Sequence, residues 1–166
     1  LMRRLIGKRP LSILKSKTSI LNIMDTSFTG ASNGIINLES CSIKLQGISI
    51  YNGEGIISKY SAIKVVNNNM DVIIINLTSI NYISETGGVI EFSNVLGDNN
   101  LISKSVFNLN HGQEGGSIKI LSTKIKIQYS NFTKNTGIRG GAIFIQDLLN
   151  VISIENCLFN SNKANY

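Results

Sequence analysis

The 166-residue chain is long enough for one domain with a sizeable core, and its 42% apolar content excludes a disordered segment. Its net charge of +6 is matched by six basic residues within positions 1–17 (Arg3, Arg4, Lys8, Arg9, Lys15 and Lys17). The remainder is balanced, with no basic face interleaved with aromatics, so no nucleic-acid partner is expected.

Residues 1–17 read as a separate basic segment that breaks the later pattern and caps the first coil. No signal-peptide apolar run follows Met2, because Gly7-Lys8-Arg9-Pro10 interrupts it. The longest apolar run, Val72-Ile73-Ile74-Ile75, is far short of the roughly 20 residues of a membrane helix.

From residue 18 onward two signals alternate. The first has two apolar residues two apart, then a small residue, then another apolar one. Its copies are Leu21/Ile23/Thr26/Phe28, Ile43/Leu45/Ile48/Ile50, Ile73/Ile75/Thr78/Ile80, Asn100/Ile102/Ser105/Phe107, Ile125/Ile127/Ser130/Phe132 and Ile152/Ile154/Cys157/Phe159. The copies recur every 22 to 30 residues. The second signal is a glycine turn opening a strand. It appears at Gly34-Ile35-Ile36, Gly55-Ile56-Ile57, Gly87-Gly88-Val89-Ile90, Gly115-Gly116-Ser117-Ile118 and Gly140-Gly141-Ala142-Ile143.

Period-2 alternation places every second side chain on one face of a strand. A unit of this length holds two or three short strands and cannot bury its apolar face alone. Stacked in register, such units build a continuous core. The expected fold is therefore all-β: a right-handed parallel β-helix of about six coils over residues 18–166. The pattern stops before a sixth glycine turn, so the repeats are read as truncated at the carboxyl end, with the same chain continuing as the partner of the last coil.

The register makes specific demands. Phe28, Ile50, Ile80, Phe107, Phe132 and Phe159 should form one inward stack. Thr26, Ile48, Thr78, Ser105, Ser130 and Cys157 should form an inward row near a bend, with hydroxyls bonded to backbone. Three outward rows are expected: Asn22/Lys44/Ile74/Leu101/Lys126/Ser153, Met24/Gln46/Asn76/Ser103/Gln128/Glu155, and Asn37/Ser58/Glu91/Lys119/Phe144. Cys41 and Cys157 fall four coils apart, roughly 19 Å at ~4.8 Å per coil, beyond disulfide reach. Asparagines in turns are candidates for ladders between coils.

Gly140-Gly141-Ala142-Ile143, Phe132-Thr133-Lys134-Asn135 and Phe159-Asn160-Ser161-Asn162 resemble the GGAI and FxxN repeats of chlamydial polymorphic outer-membrane proteins. Gly87-Gly88-Val89-Ile90 and Gly115-Gly116-Ser117-Ile118 are near copies. The likeness covers residues 79–166 well and 18–78 loosely; Phe28-Thr29-Gly30-Ala31 departs from it. Similar repeats occur in large surface proteins of protists. The resemblance implies a pectin-lyase-like β-helix with a role in surface display or adhesion.

The carbohydrate-active enzymes of such a fold need clustered carboxylates. The expected outward rows hold only Glu91 and Glu155, in different rows. The four aspartates are Asp25 beside a strand and Asp71, Asp98 and Asp147 in turns. His111, the one histidine, is read as a solvated loop residue. No catalytic residue, cofactor or metal ligand is assigned. Asn76-Leu77-Thr78 and Asn131-Phe132-Thr133 are N-glycosylation sequons with both asparagines outward. The expected function is a non-enzymatic module at the cell surface or outside the cell, acting as stalk or adhesin with glycans or other surface proteins as partners. The alternatives are a polysaccharide lyase or glycoside hydrolase whose catalytic residues lie elsewhere, and a glycan-binding module.

Overall fold

The computed structural model describes residues 3–6, 15–53, 55–146 and 151–166. Their regular structure is entirely β-strand, and every strand pairing is parallel. The chain winds as a parallel β-solenoid of about five turns, with sheets of 7, 5 and 10 strands running along its length. Asp147 and Glu54 lie outside the described residues.

A complete coil carries four short strands, more than the two or three the repeat length suggests. In the third coil these are Ile63–Asn68, Val72–Ile75, Thr78–Ile80 and Ile83–Ser84. The first two types belong to one sheet because Ile36–Gln46 spans both positions, pairing with Ile63–Asn68 at one end and Val72–Ile75 at the other. The third type forms the seven-stranded sheet, which opens with Arg3–Ile6 laid in register on Thr26–Thr29. The fourth type begins at Ile57–Ser58 and ends at Lys163–Ala164.

The inward rows are Ile, Leu, Val and Phe, nearly all fully buried. Each such side chain contributes roughly 1.5–3 kcal/mol of burial free energy. Phe107, Phe132 and Phe159 stack with parallel rings at centroid separations of 4.9 and 4.8 Å. Phe28 and Ile50 pair in register in the same inward column, separated from Phe107 by Ser79.

The third coil departs from expectation. Val72, Ile74, Leu77 and Ser79 point inward, not Ile73, Ile75, Thr78 and Ile80. Ser79 faces Ile50 on one side and Phe107 on the other, while Ile80 is exposed. Hence Ile73, not Ile74, shares an outward row with Lys44 and Leu101, and Ile75, not Asn76, lies beside Gln46 and Ser103. The reason is local: Val72-Ile73-Ile74-Ile75 is apolar at every position, so alternation there has no preferred phase.

Register is set instead by a column of bends. Asp25, Gly47, Asn76, Lys104, Tyr129 and Asn156 all adopt positive φ, from 46° to 64°. Each of the first five donates its backbone N–H to the carbonyl one coil on, as Asn76 does to Ser103 at 3.1 Å and Tyr129 to Glu155 at 3.1 Å. Asn, Asp and Gly tolerate this left-handed conformation; Lys104 and Tyr129 adopt it at a cost.

A second correction concerns Gly55-Ile56-Ile57. Gly55 has φ 76° and does turn the chain, but the strand it opens, Ile57–Ser58, belongs to the five-stranded sheet beside Ile83–Ser84. The equivalent of the glycine-opened strands is Ile63–Asn68, preceded by Ser61-Ala62. Lys64 therefore takes the outward place expected for Ser58. Ser58 is buried, accepting from Gly34 N at 2.9 Å and donating to the Tyr60 carbonyl. At the later glycine pairs the requirement is close approach: a Cβ on Gly141 would lie 2.7 Å from Lys163 carbonyl carbon in the next coil.

The inward small row behaves largely as expected. Thr26, Ser105 and Ser130 each donate to the carbonyl two residues back, at 2.8–3.0 Å. The hydroxyls also accept along the axis: Leu77 N donates to Ser105 Oγ and Ser105 N to Ser130 Oγ. Leu77, not Thr78, fills this row in the third coil, by the same slip. Cys157 closes it half-buried, while Cys41 lies fully buried four coils away.

Candidate functional site

The interior polar chemistry converges on an asparagine ladder. Asn110 and Asn135 are fully buried, and Asn162 follows in the last described coil. Asn110 N–H and Nδ2 both donate to Asn135 Oδ1, at 3.0 and 3.1 Å. Asn135 N–H and Nδ2 both donate to Asn162 Oδ1, each at 2.9 Å. The amides also reach back one coil, Asn135 Nδ2 to the Phe107 carbonyl and Asn162 Nδ2 to the Phe132 carbonyl. The FxxN spacing thus has a physical meaning: the phenylalanine enters the stack and the asparagine three residues on clamps the coils above and below. Phe107-Asn108-Leu109-Asn110 is a third copy that the sequence reading passed over, although the spacing was present.

On the outside, the two sequons lie on one edge. Asn76 is exposed at its left-handed bend, two residues before Thr78. Thr78 pairs with Val106, and Val106 with Asn131, so the exposed Asn131 sits two coils on, roughly 10 Å along the axis. Asn131 and Thr133 share the outward face of one strand, with Phe132 inward between them.

A charged seam follows the outward row Asn37, Lys64, Glu91, Lys119 and Phe144. Lys64 Nζ lies 3.0 Å from Glu91, which is buried despite facing outward. Lys119 reaches Glu114 at 2.8 Å, and Arg139 pairs with the same carboxylate while lying over the Phe144 ring. Lys64 and the Glu114–Arg139 pair were not among the outward residues expected. Cations engage both carboxylates of this seam.

On the adjoining face, a cleft of about 360 Å³ is lined by Asp98, Asn99, Lys124, Lys126, Gln128 and Ser153. Lys126 bonds Glu155 at 2.8 Å and, with Ser153, holds that carboxyl below its ordinary pKa. Asp71 accepts from the Asn99 side chain and backbone, both at 2.9 Å, and is likewise held low. Asp98 pairs with Lys124 at 3.1 Å. Tyr129 is exposed at the neighbouring bend.

His111 is not a loop residue. It opens the strand His111–Glu114, half-buried, with Nδ1 2.7 Å from Thr136 Oγ1 on the next coil. Among the described residues no three His, Cys, Asp or Glu side chains converge as a metal site, and no helix is long and apolar enough to cross a membrane. No protein-family model, curated protein or solved structure matches this chain.

Proposed function

We propose that the chain is a structural β-solenoid module of a surface or extracellular protein, acting as a stalk or adhesin of the kind that bears GGAI and FxxN repeats on a pectin-lyase-like scaffold. The observation that carries this reading is the axial continuity of the interior. Phenylalanine stack, hydroxyl row and asparagine ladder each hand their contacts from one coil to the next. Chemistry of this kind specifies a rigid rod with a variable exterior. The test is labelling of intact source cells with an antibody against this chain. Staining without permeabilisation is expected; staining only after permeabilisation overturns the reading. On a eukaryotic secretory route, Asn76 and Asn131 would carry N-glycans along one edge, leaving the charged seam bare, and glycosidase-sensitive mass loss would report them.

A second reading, contact with glycans, is favoured by the cleft around Asn99, Lys126, Gln128 and Ser153, whose amides, hydroxyl and cation suit sugar hydroxyls and carboxylates. A glycan array separates it from a purely structural role. Release of products from polysaccharides would point to the carbohydrate-active alternative.

A further inference from the structure

We propose that the Asn33–Gly34 step is a latent self-modification site, where Asn33 converts to aspartate and isoaspartate once the Ser58 hydroxyl on the next coil releases the Gly34 amide.

Asn–Gly steps deamidate spontaneously most readily, because glycine has no side chain to keep its backbone nitrogen from the neighbouring amide carbon. The chain has two of them, Asn33-Gly34 and Asn52-Gly53. They sit in opposite surroundings. Asn52 is fully buried, and its Nδ2 donates to the carbonyls of Ala31 and Ile56, each at 3.2 Å. Its amide carbon is pinned and shielded from water. Asn33 is exposed.

At Asn33 the restraint falls on the attacking nitrogen. Gly34 N–H donates to Ser58 Oγ at 2.9 Å, and both Gly34 and Ser58 are buried. On the other side of Asn33, the Ser32 carbonyl accepts from Lys59 N–H at 2.9 Å. Further on, the N–H groups of Ile35 and Ile36 both donate to the Ala62 carbonyl, at 2.9 and 2.8 Å. The exposed asparagine thus lies in a turn fastened to the next coil on both sides. Gly34 has φ 77°, and a Cβ there would lie 2.7 Å from the Ser61 carbonyl oxygen. The corner therefore requires the very residue that makes the step reactive.

Once Gly34 is released, its nitrogen attacks Asn33 Cγ. The new C–N bond closes a succinimide ring, and the side-chain nitrogen leaves as ammonia with the Gly34 amide proton. Water then opens the ring at either carbonyl, giving aspartate or isoaspartate with no other co-reactant. Both products replace a neutral amide by a carboxylate. Isoaspartate also lengthens the backbone by a methylene, which takes Gly34 N out of register with Ser58 and makes the opening permanent.

The experiment incubates the wild-type chain, Ser58→Ala and Ser84→Ala in mildly alkaline buffer. Asn33 and Asn52 are followed by peptide mass mapping, with isoaspartate separated by chromatography. Ser58→Ala removes the acceptor of Gly34 N–H, while the Tyr60 carbonyl that Ser58 Oγ reaches keeps the Tyr82 hydroxyl at 2.9 Å. Ser84 pairs with Ser58 one coil on, is also buried, and its hydroxyl makes no hydrogen bond among the described residues, so its variant controls for loss of a buried hydroxyl. Asn33 should deamidate about tenfold faster in Ser58→Ala than in the wild type, the worth of one buried hydrogen bond. Ser84→Ala should keep the wild-type rate, and Asn52 should stay intact in all three. In concentrated urea both steps should react alike in every variant. Equal Asn33 rates in Ser58→Ala and the wild type overturn the proposal, as does a native wild-type rate equal to that in urea. Acceleration in both serine variants, or at Asn52 as well, assigns the reaction to general unfolding and also overturns it. Amide hydrogen exchange at Gly34, faster only in Ser58→Ala, ties the chemistry to this hydrogen bond; unchanged exchange there overturns the role of Ser58 whatever the mass map shows.

Discussion

Replacing Phe132 with alanine tests the core directly. The ring has 0% exposure and is held between Phe107 at 4.9 Å and Phe159 at 4.8 Å, so truncation removes two stacking contacts and opens a void that the flanking coils cannot close without breaking their ladders. Buried Phe→Ala changes cost about 3–5 kcal/mol, and loss of two aromatic neighbours puts this site near the upper end. For a domain of this size each kcal/mol shifts the midpoint by about 2–4 °C, so a drop of about 8–16 °C is expected by circular dichroism. The internal comparison is Phe159→Ala. Phe159 stacks on one side only and is 46% exposed, so its loss should cost about half as much or less. Equal costs for the two variants, or a Phe132→Ala cost below about 1 kcal/mol, would refute the stacked register. Urea melts should accompany the heat scans, because solenoids can lose coils from an end before the centre unfolds.

Asn135→Leu keeps approximate size but orphans Asn110 N–H and takes one bond each from Asn110 Nδ2, which keeps the Ser79 carbonyl, and from the Phe107 carbonyl; a loss of about 2–4 kcal/mol is expected in urea denaturation. Lys104 is exposed at φ 52°, so Lys104→Asn should stabilise by about 0.5–1 kcal/mol, whereas the same change at an extended surface position should do nothing. Asp71 has its folded pKa lowered by Asn99, so its contribution is present above the unfolded pKa and is lost as pH falls through the folded one. Carboxyl titration by NMR should show Asn99→Ala moving that pKa back up, with little change in overall stability because the pair is exposed.

The fold class was legible because coils that must stack repeat their inward residues: Ile125, Ile127, Ser130 and Phe132 align with Ile152, Ile154, Cys157 and Phe159 without ambiguity. The slip at Val72–Ile75 arose where every position is apolar. The correcting signal was Asn76, which matches Asp25, Gly47 and Asn156 as a bend residue. Lys104, Tyr129 and Leu109 hold the same backbone conformation yet carry no turn preference, so nothing in their identity marked them. The glycine at position 55 misled for the opposite reason, being a true turn residue in the wrong corner. The outer surface was the least legible part. Lys64 meets Glu91, and Arg139 meets Glu114, only through coil stacking, and their residue types follow no period.

The third coil shows what the interior conserves. Where the coils after it place phenylalanine and then asparagine, this coil places Ser79 and then Tyr82. Tyr82 is fully buried and occupies the ladder position, its backbone N–H donating to Asn110 Oδ1 at 3.0 Å. Its hydroxyl reaches the Tyr60 carbonyl at 2.9 Å, and burial pushes its ionisation well above the ordinary phenol range. The aromatic volume missing at Ser79 is thus carried three residues later within the same coil. The exchange has a polar consequence: a tyrosine offers no amide oxygen to the preceding coil, and Asn52 there turns Nδ2 to the carbonyls of Ile56 and Ala31. Asn52 Oδ1, the atom that in the ladder accepts from the coil before it, is buried with no partner among the described residues. Ser79 Oγ meanwhile donates to Asn110 Oδ1 and restarts the ladder. Each coil must therefore fill its cross-section and satisfy the next coil's backbone, and more than one arrangement of side chains does both. The phenylalanine–asparagine spacing is the arrangement that can be repeated indefinitely, because only there does each amide both give to the next coil and receive from the last.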